Sequence, residues 1–105
     1  MSKTKLINIR SGEPYQVYIG RAVPRKGLAG SKWGNPFKSP RDGTVEECLQ
    51  QYRSLWQWKI SDDPQSEADL EELRGTVMGC WCKPAEGFQG RLLCHGQILL
   101  ELLGE

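Results

Sequence analysis

The sequence has no long hydrophobic run, and this absence limits the classes of protein it can encode. Its start, MSKTKLINIR, lacks the apolar stretch of a signal peptide, and no segment approaches the length of a membrane span. We therefore expect a cytoplasmic protein without a membrane partner. Its four cysteines are then expected to stay reduced, which argues against a disulfide framework. The 105 residues predict a single domain, 1–105.

Carboxylates are missing from one stretch of the chain, although acids and bases nearly balance overall. The 14 basic and 13 acidic side chains give a net charge of +1, which by itself indicates neither a nucleic-acid nor a membrane partner. From Arg21 to Arg41, however, lysine and arginine recur without any Asp or Glu. The surrounding Gly/Pro-rich loop, 20–43, fits neither the Walker nor the dinucleotide-binding pattern. The pattern nevertheless favours an anion-binding loop.

Four residues of the 20–43 loop are candidates for binding a phosphate-bearing ligand. Arg21 and Lys32 are suited to phosphate contact. Trp33 is suited to stacking on a base, and Asn35 to hydrogen bonding with a base edge. The alternative is a structured loop in which Trp33 and Phe37 fold back onto the sheet and Asn35–Pro36 is a turn. The expected partner is a nucleotide or a nucleic-acid segment.

The hydrophobic pattern predicts a small α/β domain. KLINIR and YQVYIG are β-compatible segments separated by the turn signal SGEP, which favours an N-terminal hairpin. A capping box at Thr44–Glu47 opens one helix, Ser66 opens a second, and TVMGCWC is a buried strand. The apolar C-terminal segment closes the chain as a helix, and its ILLELL run at 98–103 is a candidate homodimer surface. We expect at least three strands flanked by about three helices.

The segment 80–96 holds three cysteines and the single histidine of the chain. Three interpretations remain open for it. One is a zinc site, whose ligands would be Cys80, Cys82, Cys94 and His95. Another is a reactive thiol, with Cys94 as the nucleophile and His95 as an acid or base. The third is structural, with thiols filling a tight core and His95 bonded to a backbone carbonyl.

Five segments together resemble the family called domain of unknown function 4326, which comprises small bacterial, archaeal and phage proteins. In chain order they are VYIGR, GSKWGNPF, GTVEECLQQYRSLW, LRGTVMGCWCKP and CHGQILLELL, and they span residues 17–103. The resemblance places the loop and Cys/His candidates above on the family's motif positions. The chain departs from the family pattern at Gln16 and Gln97, where relatives tend to carry acids. The resemblance therefore implies ligand binding more strongly than turnover.

The leading hypothesis is an α/β domain that binds a nucleotide or nucleic acid through the basic loop beside the Cys/His cluster. The first alternative is an enzyme that acts on a nucleotide, a nucleobase or a glycosidic bond through Cys94 and His95. The second is a zinc-stapled protein-interaction module. If the strand that ends at IGR and the CWC strand are neighbours, Arg21 and the Cys/His group border one pocket at the strand ends.

Overall fold

The computed structural model describes residues 3–83, 87–88 and 90–104, and it confirms the α/β class. The predicted loop after CWCK falls partly on Pro84–Glu86 and Gln89, which lie outside the described residues. The elements in chain order are β1 (Lys5–Asn8), β2 (Val17–Tyr18), α1 (Val45–Asp62), α2 (Pro64–Glu71), β3 (Val77–Cys80) and α3 (His95–Leu102). Short 3-10 turns occur at Ile9–Ser11 and Pro24–Lys26. Within the described ranges, no helix is long and apolar enough to cross a membrane.

The sheet has three parallel strands in the order β1-β3-β2, so the predicted N-terminal hairpin is wrong. Residues of β1 pair with β3 from Lys5 opposite Val77 to Asn8 opposite Cys80, and β2 pairs with the other side of β3. Short apolar alternation identifies strands but not their partners. The VMGC strand carries no polar side chain, and Met78, Gly79 and Cys80 are buried, so both of its faces are covered and it takes the centre.

The connection from β1 to β2 passes over the central strand at Gly79. A Cβ built on Gly79 would lie 2.8 Å from Cγ of Tyr15 and 3.1 Å from Cγ1 of Ile9. Any larger residue at this position would push the connection off the sheet. The SGEP signal thus belongs to a crossing segment, in which Gly12 adopts a left-handed conformation with φ of 80°.

The helix α1 begins as the sequence predicts. The Thr44 side chain accepts from the amide of Glu47 at 3.1 Å, and the Glu47 carboxylate accepts from the amide of Thr44 at 2.9 Å. One face of α1 is buried through Cys48, Leu49, Tyr52 and Trp56. The helix α2 begins at Pro64, two residues before the predicted start, because Asp63 accepts from the amide of Gln65 and caps it.

The helix α3 packs against the sheet through its first turn. A Cβ on Gly96 would lie 2.6 Å from Cδ1 of Leu6 and 3.1 Å from Cδ1 of Ile19, so glycine permits the close approach. Ile98, Leu99 and Leu103 of the predicted dimer surface are buried in the core of the single chain. Homodimerisation stays a prediction, and burial within the domain already accounts for these apolar residues.

Candidate functional site

A cavity of about 590 Å³ lies beyond the carboxyl ends of β2 and β3. We call it the Arg21 cavity. Because β2 and β3 are hydrogen-bonded neighbours, residues that follow each strand meet at this edge of the sheet. The start of α1 forms a further wall. The polar and aromatic lining residues include Arg21, Asn35, Lys38, Trp81, Cys82 and His95.

The Arg21 cavity is electropositive. Its described lining contains Arg21 and Lys38 but no Asp or Glu. Within the part of the chain that the structure describes, the side chains of Arg21 and Lys38 form no ion pair. The nearby Asp42 is occupied, since its carboxylate accepts from the amide of Lys38 at 2.9 Å and pairs with Arg41 at 2.7 Å. Two exposed cations whose charged groups are not paired within the described residues create a site that attracts anions.

Lys32 and Trp33 lie outside this lining, although the sequence grouped them with Arg21. The indole Nε1 of Trp33 donates to the carbonyl of Asp69 at 3.1 Å, and the residue is 8% exposed. The ammonium of Lys32 contacts carboxylates of Asp69 and Glu72 at 2.9 Å each. These hydrogen bonds raise the pKa of Lys32. The bond that Lys32 donates to Asp69 also lowers the pKa of Asp69. Both residues therefore attach the loop to α2, whereas the structured-loop alternative placed Trp33 against the sheet.

Asn35 lines the Arg21 cavity and is 7% exposed. Its Oδ1 accepts from the amide of Phe37 at 2.9 Å, which gives the predicted turn at Asn35–Pro36. Among the described residues the Nδ2 group has no hydrogen-bond partner. Asn35 thus combines a structural acceptor with a donor that stays available at the cavity wall.

Trp81 is the aromatic wall of the Arg21 cavity, and the sequence reasoning missed it. Its indole Nε1 donates to the hydroxyl of Tyr18 at 2.9 Å, which fixes the ring across the ends of β2 and β3. The guanidinium of Arg10 and the ammonium of Lys26 lie 5.7 and 5.9 Å from its ring centroid. Its position in the sequence could have indicated this role. Trp81 directly follows a buried strand, and side chains in an extended segment alternate in direction, so it points away from the two flanking cysteines.

His95 is buried at the first position of α3 and still borders the cavity. Its Nε2 lies 2.7 Å from the carbonyl of Ile19, an acceptor, so Nε2 carries the proton and Nδ1 is the free acceptor. That Nδ1 faces the sulfur of Cys82 at 3.7 Å. Burial lowers the pKa of His95, and the charge of Arg21 lowers it further. Neutral His95 is therefore favoured near pH 7.

Three cysteine sulfurs cluster beside His95. The Sγ atoms of Cys80, Cys82 and Cys94 all lie within 4.8 Å of one another and could hold a metal ion. Cys82 and Cys94 are at disulfide distance, with Cα atoms 5.2 Å apart, so the expectation of four separate thiols is wrong for this pair. The sequence could not show this, because proximity across a loop is a tertiary property. His95, the fourth predicted zinc ligand, is not part of this close group.

The two predicted catalytic residues occupy different environments. His95 borders the Arg21 cavity, whereas Cys94 is 0% exposed and is not among its lining residues. Cys94 instead caps α3, where its Sγ accepts from the amide of Gly96 at 3.4 Å. The thiol group that reaches the cavity beside His95 is that of Cys82. Enzymatic action through Cys94 and His95 stays a prediction.

Comparison with known proteins identifies the family. Residues 4–105 match the model of the family described as Domain of unknown function (DUF4326). The chain belongs to the DUF4326 family. This DUF4326 chain is 35% identical over 89 residues to "Uncharacterized protein R718" of Acanthamoeba polyphaga mimivirus, covering 82% of the chain and 65% of that relative. It is 30% identical over 74 residues to "Uncharacterized 12.4 kDa protein in nrdA-td intergenic region" of Enterobacteria phage T4, covering 70% of the chain and 61% of the relative.

The DUF4326 chain thus spans less than two thirds of the length of either viral relative. No solved structure matches it. Gln16 and Gln97, where the resemblance implies that relatives tend to carry acids, both hold structural hydrogen bonds. The side-chain oxygen of Gln16 accepts from the amide of Val77 at 2.9 Å. That of Gln97 accepts from the amides of Leu93 and Cys94, at 2.7 and 2.9 Å, and so completes the cap of α3. Gln97 also donates through Nε2 to the carbonyl of Arg91 at 2.9 Å, a bond that a carboxylate could not make.

Proposed function

We propose that the protein binds a phosphate-bearing ligand, a nucleotide or nucleic-acid segment, in the Arg21 cavity. The observation that carries the proposal is the pairing of two unneutralised cations, Arg21 and Lys38, with a lining free of described carboxylates. The guanidinium of Arg21 offers the bidentate donors that phosphate oxygens accept. Lys38 adds a point charge across the cavity.

The aromatic wall supports a nucleotide over a simple inorganic anion. Trp81 is held by its hydrogen bond to Tyr18, so a base stacking on it meets a ring that is already oriented. The cavity of about 590 Å³ falls within the usual range for small-molecule sites, roughly 300–1,000 Å³. A single nucleotide unit therefore fits, either free or at one position of a strand.

The third supporting feature is the donor of Asn35. An amide N–H that lines the cavity and has no partner among the described residues gains a hydrogen bond when a ligand supplies an acceptor. Phosphate oxygens and base carbonyls both supply one. The Asn35→Ala variant removes this donor but also the turn acceptor, so it is a poor first test. The charge of Arg21 is the better target.

The test compares Arg21→Glu with Arg25→Glu, which changes net charge equally in the same loop. Arg21 and Arg25 are both exposed, and only Arg21 lines the cavity. Calorimetric titrations use inorganic phosphate, a nucleoside monophosphate, the matching nucleoside and a single-stranded oligonucleotide. We expect Arg21→Glu to weaken binding of the phosphate-bearing probes by at least about tenfold, since charge-assisted hydrogen bonds contribute about 1.5–3 kcal/mol. Its melting temperature should stay close to that of the wild type.

Two results would contradict the proposal. Equal losses in the two variants would indicate diffuse electrostatic attraction and no site at the cavity. A collapse of the melting temperature in Arg21→Glu would make Arg21 a structural residue. Binding of the monophosphate but not of the nucleoside would support the phosphate assignment, and tighter binding of the oligonucleotide would point to a polymer.

A second candidate function, supported by the close sulfurs of Cys80, Cys82 and Cys94, is zinc binding. Three thiolates suit zinc, and His95 lies outside the close sulfur group. Its Nδ1 is nevertheless free, because Nε2 donates its proton to the carbonyl of Ile19, as histidine ligands usually do. The zinc and the disulfide are alternatives, since they require the same sulfur atoms. Native mass spectrometry of freshly reduced protein tests this. A retained zinc mass, lost in Cys80→Ser, supports the site, and a bare mass with added zinc excludes it.

A further inference from the structure

We propose that Cys82 and Cys94 form a thiol–disulfide couple, in which Cys82 attacks a small disulfide and Cys94 resolves the mixed disulfide. Their Cα atoms are 5.2 Å apart, inside the range of roughly 4.4–6.8 Å that a disulfide requires. Cys82 follows β3 and Cys94 caps α3, so both backbones are positioned by regular structure. The bond can therefore form and break without moving either element.

Cys82 is the attacking sulfur because it is the one that meets the cavity. Cys80 and Cys94 are at 0% exposure, whereas Cys82 lines the cavity next to Arg21. The acceptor Nδ1 of His95 lies 3.7 Å from its sulfur and can take a hydrogen bond from the thiol. The positive charge of Arg21, which lines the same cavity, attracts an anionic disulfide such as glutathione disulfide.

Cys94 is the resolving sulfur, and Cys80 is not. Cys94 caps the N-terminus of the eight-residue helix α3, where the helix dipole and the amide of Gly96 stabilise negative charge on sulfur. The sulfur of Cys80 lies 3.4 Å from that of Cys94, but it is Cys94 whose Cα atom stands 5.2 Å from that of Cys82, within the range of a disulfide. Cys80 thus packs against the couple without taking part in the exchange.

The exchange balances in two steps. The Cys82 thiolate attacks one sulfur of the small disulfide, whose S–S bond breaks and releases one thiol after protonation. The Cys94 thiolate then attacks the Cys82 sulfur of the mixed disulfide and releases the second thiol. Two protein thiols are oxidised and one disulfide is reduced to two thiols, which is a two-electron transfer. In a reducing compartment the protein disulfide would form only transiently, as expected of a redox-active pair. The inference does not depend on the phosphate ligand.

The experiment uses the reduced full chain in buffer with a chelator, so that metal binding cannot mask the thiols. Glutathione disulfide is added, samples are quenched in acid and alkylated after unfolding, and the products are mapped by peptide mass spectrometry. We expect a Cys82–Cys94 bond in the wild type, with Cys48 and Cys80 recovered as alkylated thiols. The Cys94→Ser variant should stop at a glutathione adduct on Cys82. The Cys82→Ser variant should oxidise at least about tenfold more slowly.

Cys48 is the internal control, because it also lines the cavity but its thiol donates to the carbonyl of Gly43. Cys48→Ser should oxidise at the wild-type rate. His95→Gln keeps a donor toward Ile19 and removes the Nδ1 acceptor, so it should slow adduct formation at Cys82 while the melting temperature stays nearly constant. An adduct that forms equally fast on Cys48, or a wild type that gives a Cys80–Cys94 bond, would overturn the assignment. If Cys94→Ser fails to fold, the wild-type map and Cys82→Ser decide the question.

Discussion

Separate substitutions of Trp33 and Trp81 distinguish a core residue from a ligand-binding residue. Trp33 is 8% exposed and donates its indole N–H to Asp69 at 3.1 Å, so Trp33→Phe removes a buried hydrogen bond and part of a packed ring. Trp81 lines the cavity, so Trp81→Ala removes the proposed stacking surface. The sequence alone favours the opposite outcome, because Trp33 lies in the basic loop.

Trp33→Phe is expected to change the melting temperature, whereas Trp81→Ala is expected to change the affinity for a nucleotide. Loss of the Trp33 hydrogen bond costs about 1 kcal/mol, and the smaller ring adds a cavity cost of similar size. A loss of 1 kcal/mol lowers the melting temperature of a domain this small by about 4–8 °C. We therefore expect Trp33→Phe to melt at least about 4 °C lower with unchanged ligand affinity. Trp81→Ala should lose about 5- to 100-fold in nucleotide affinity, since one stacked base contributes about 1–3 kcal/mol.

The assay pairs thermal melts with titration of a nucleoside monophosphate at a temperature where both variants are folded. Inorganic phosphate is the control ligand, because it has no base and should bind Trp81→Ala like the wild type. The reasoning is refuted if Trp33→Phe keeps its melting temperature and loses nucleotide affinity. That result would identify Trp33 as the stacking surface, despite its burial in the structure.

Three further predictions concern the fold. Gly79→Ala should destabilise the protein by about 1–3 kcal/mol in urea unfolding, because the added Cβ meets Tyr15 at 2.8 Å; a change below about 0.5 kcal/mol would show that the crossing segment yields easily. Thr44→Ala should cost about 0.5–2 kcal/mol through loss of the cap of α1, and an unchanged unfolding midpoint would exclude the capping role. The hydrogen bond from Lys32 is the main cause that lowers the pKa of Asp69. The stability that this ion pair contributes is therefore present above the unfolded-state pKa of Asp69 and is lost as the pH falls through its folded-state pKa. Lys32→Gln should therefore lose less stability on acidification below about pH 5 than the wild type, and parallel pH profiles would argue against the ion pair.

Local signals in the sequence predicted the helices well. The capping box at Thr44–Glu47 needs only neighbouring residues, and the structure forms both of its hydrogen bonds. The start of α3 beside Cys94 was also predicted, and Gln97 completes its cap. Arg21, Asn35 and His95 were singled out from the sequence, and all three border the same cavity.

The remaining features depend on partners that are distant in the chain. Lys32 and Trp33 acquire their roles from Asp69, which is 37 and 36 residues away. The proximity of Cys82 and Cys94 depends on how the strand end and helix start fold together. Sequence spacing could name these residues as candidates but could not show which groups they would contact.

By itself, the sequence determined the α/β class, the positions of its apolar segments and the acid-free basic loop, because composition and periodicity are properties of the chain. Only the tertiary structure decided that β3 lies between β1 and β2. It also decided that Trp81 faces the cavity while Trp33 is buried against α2. The physical reason is that strand pairing and side-chain burial are set by competition among contacts between distant segments, and the winning contacts exist only in the packed molecule.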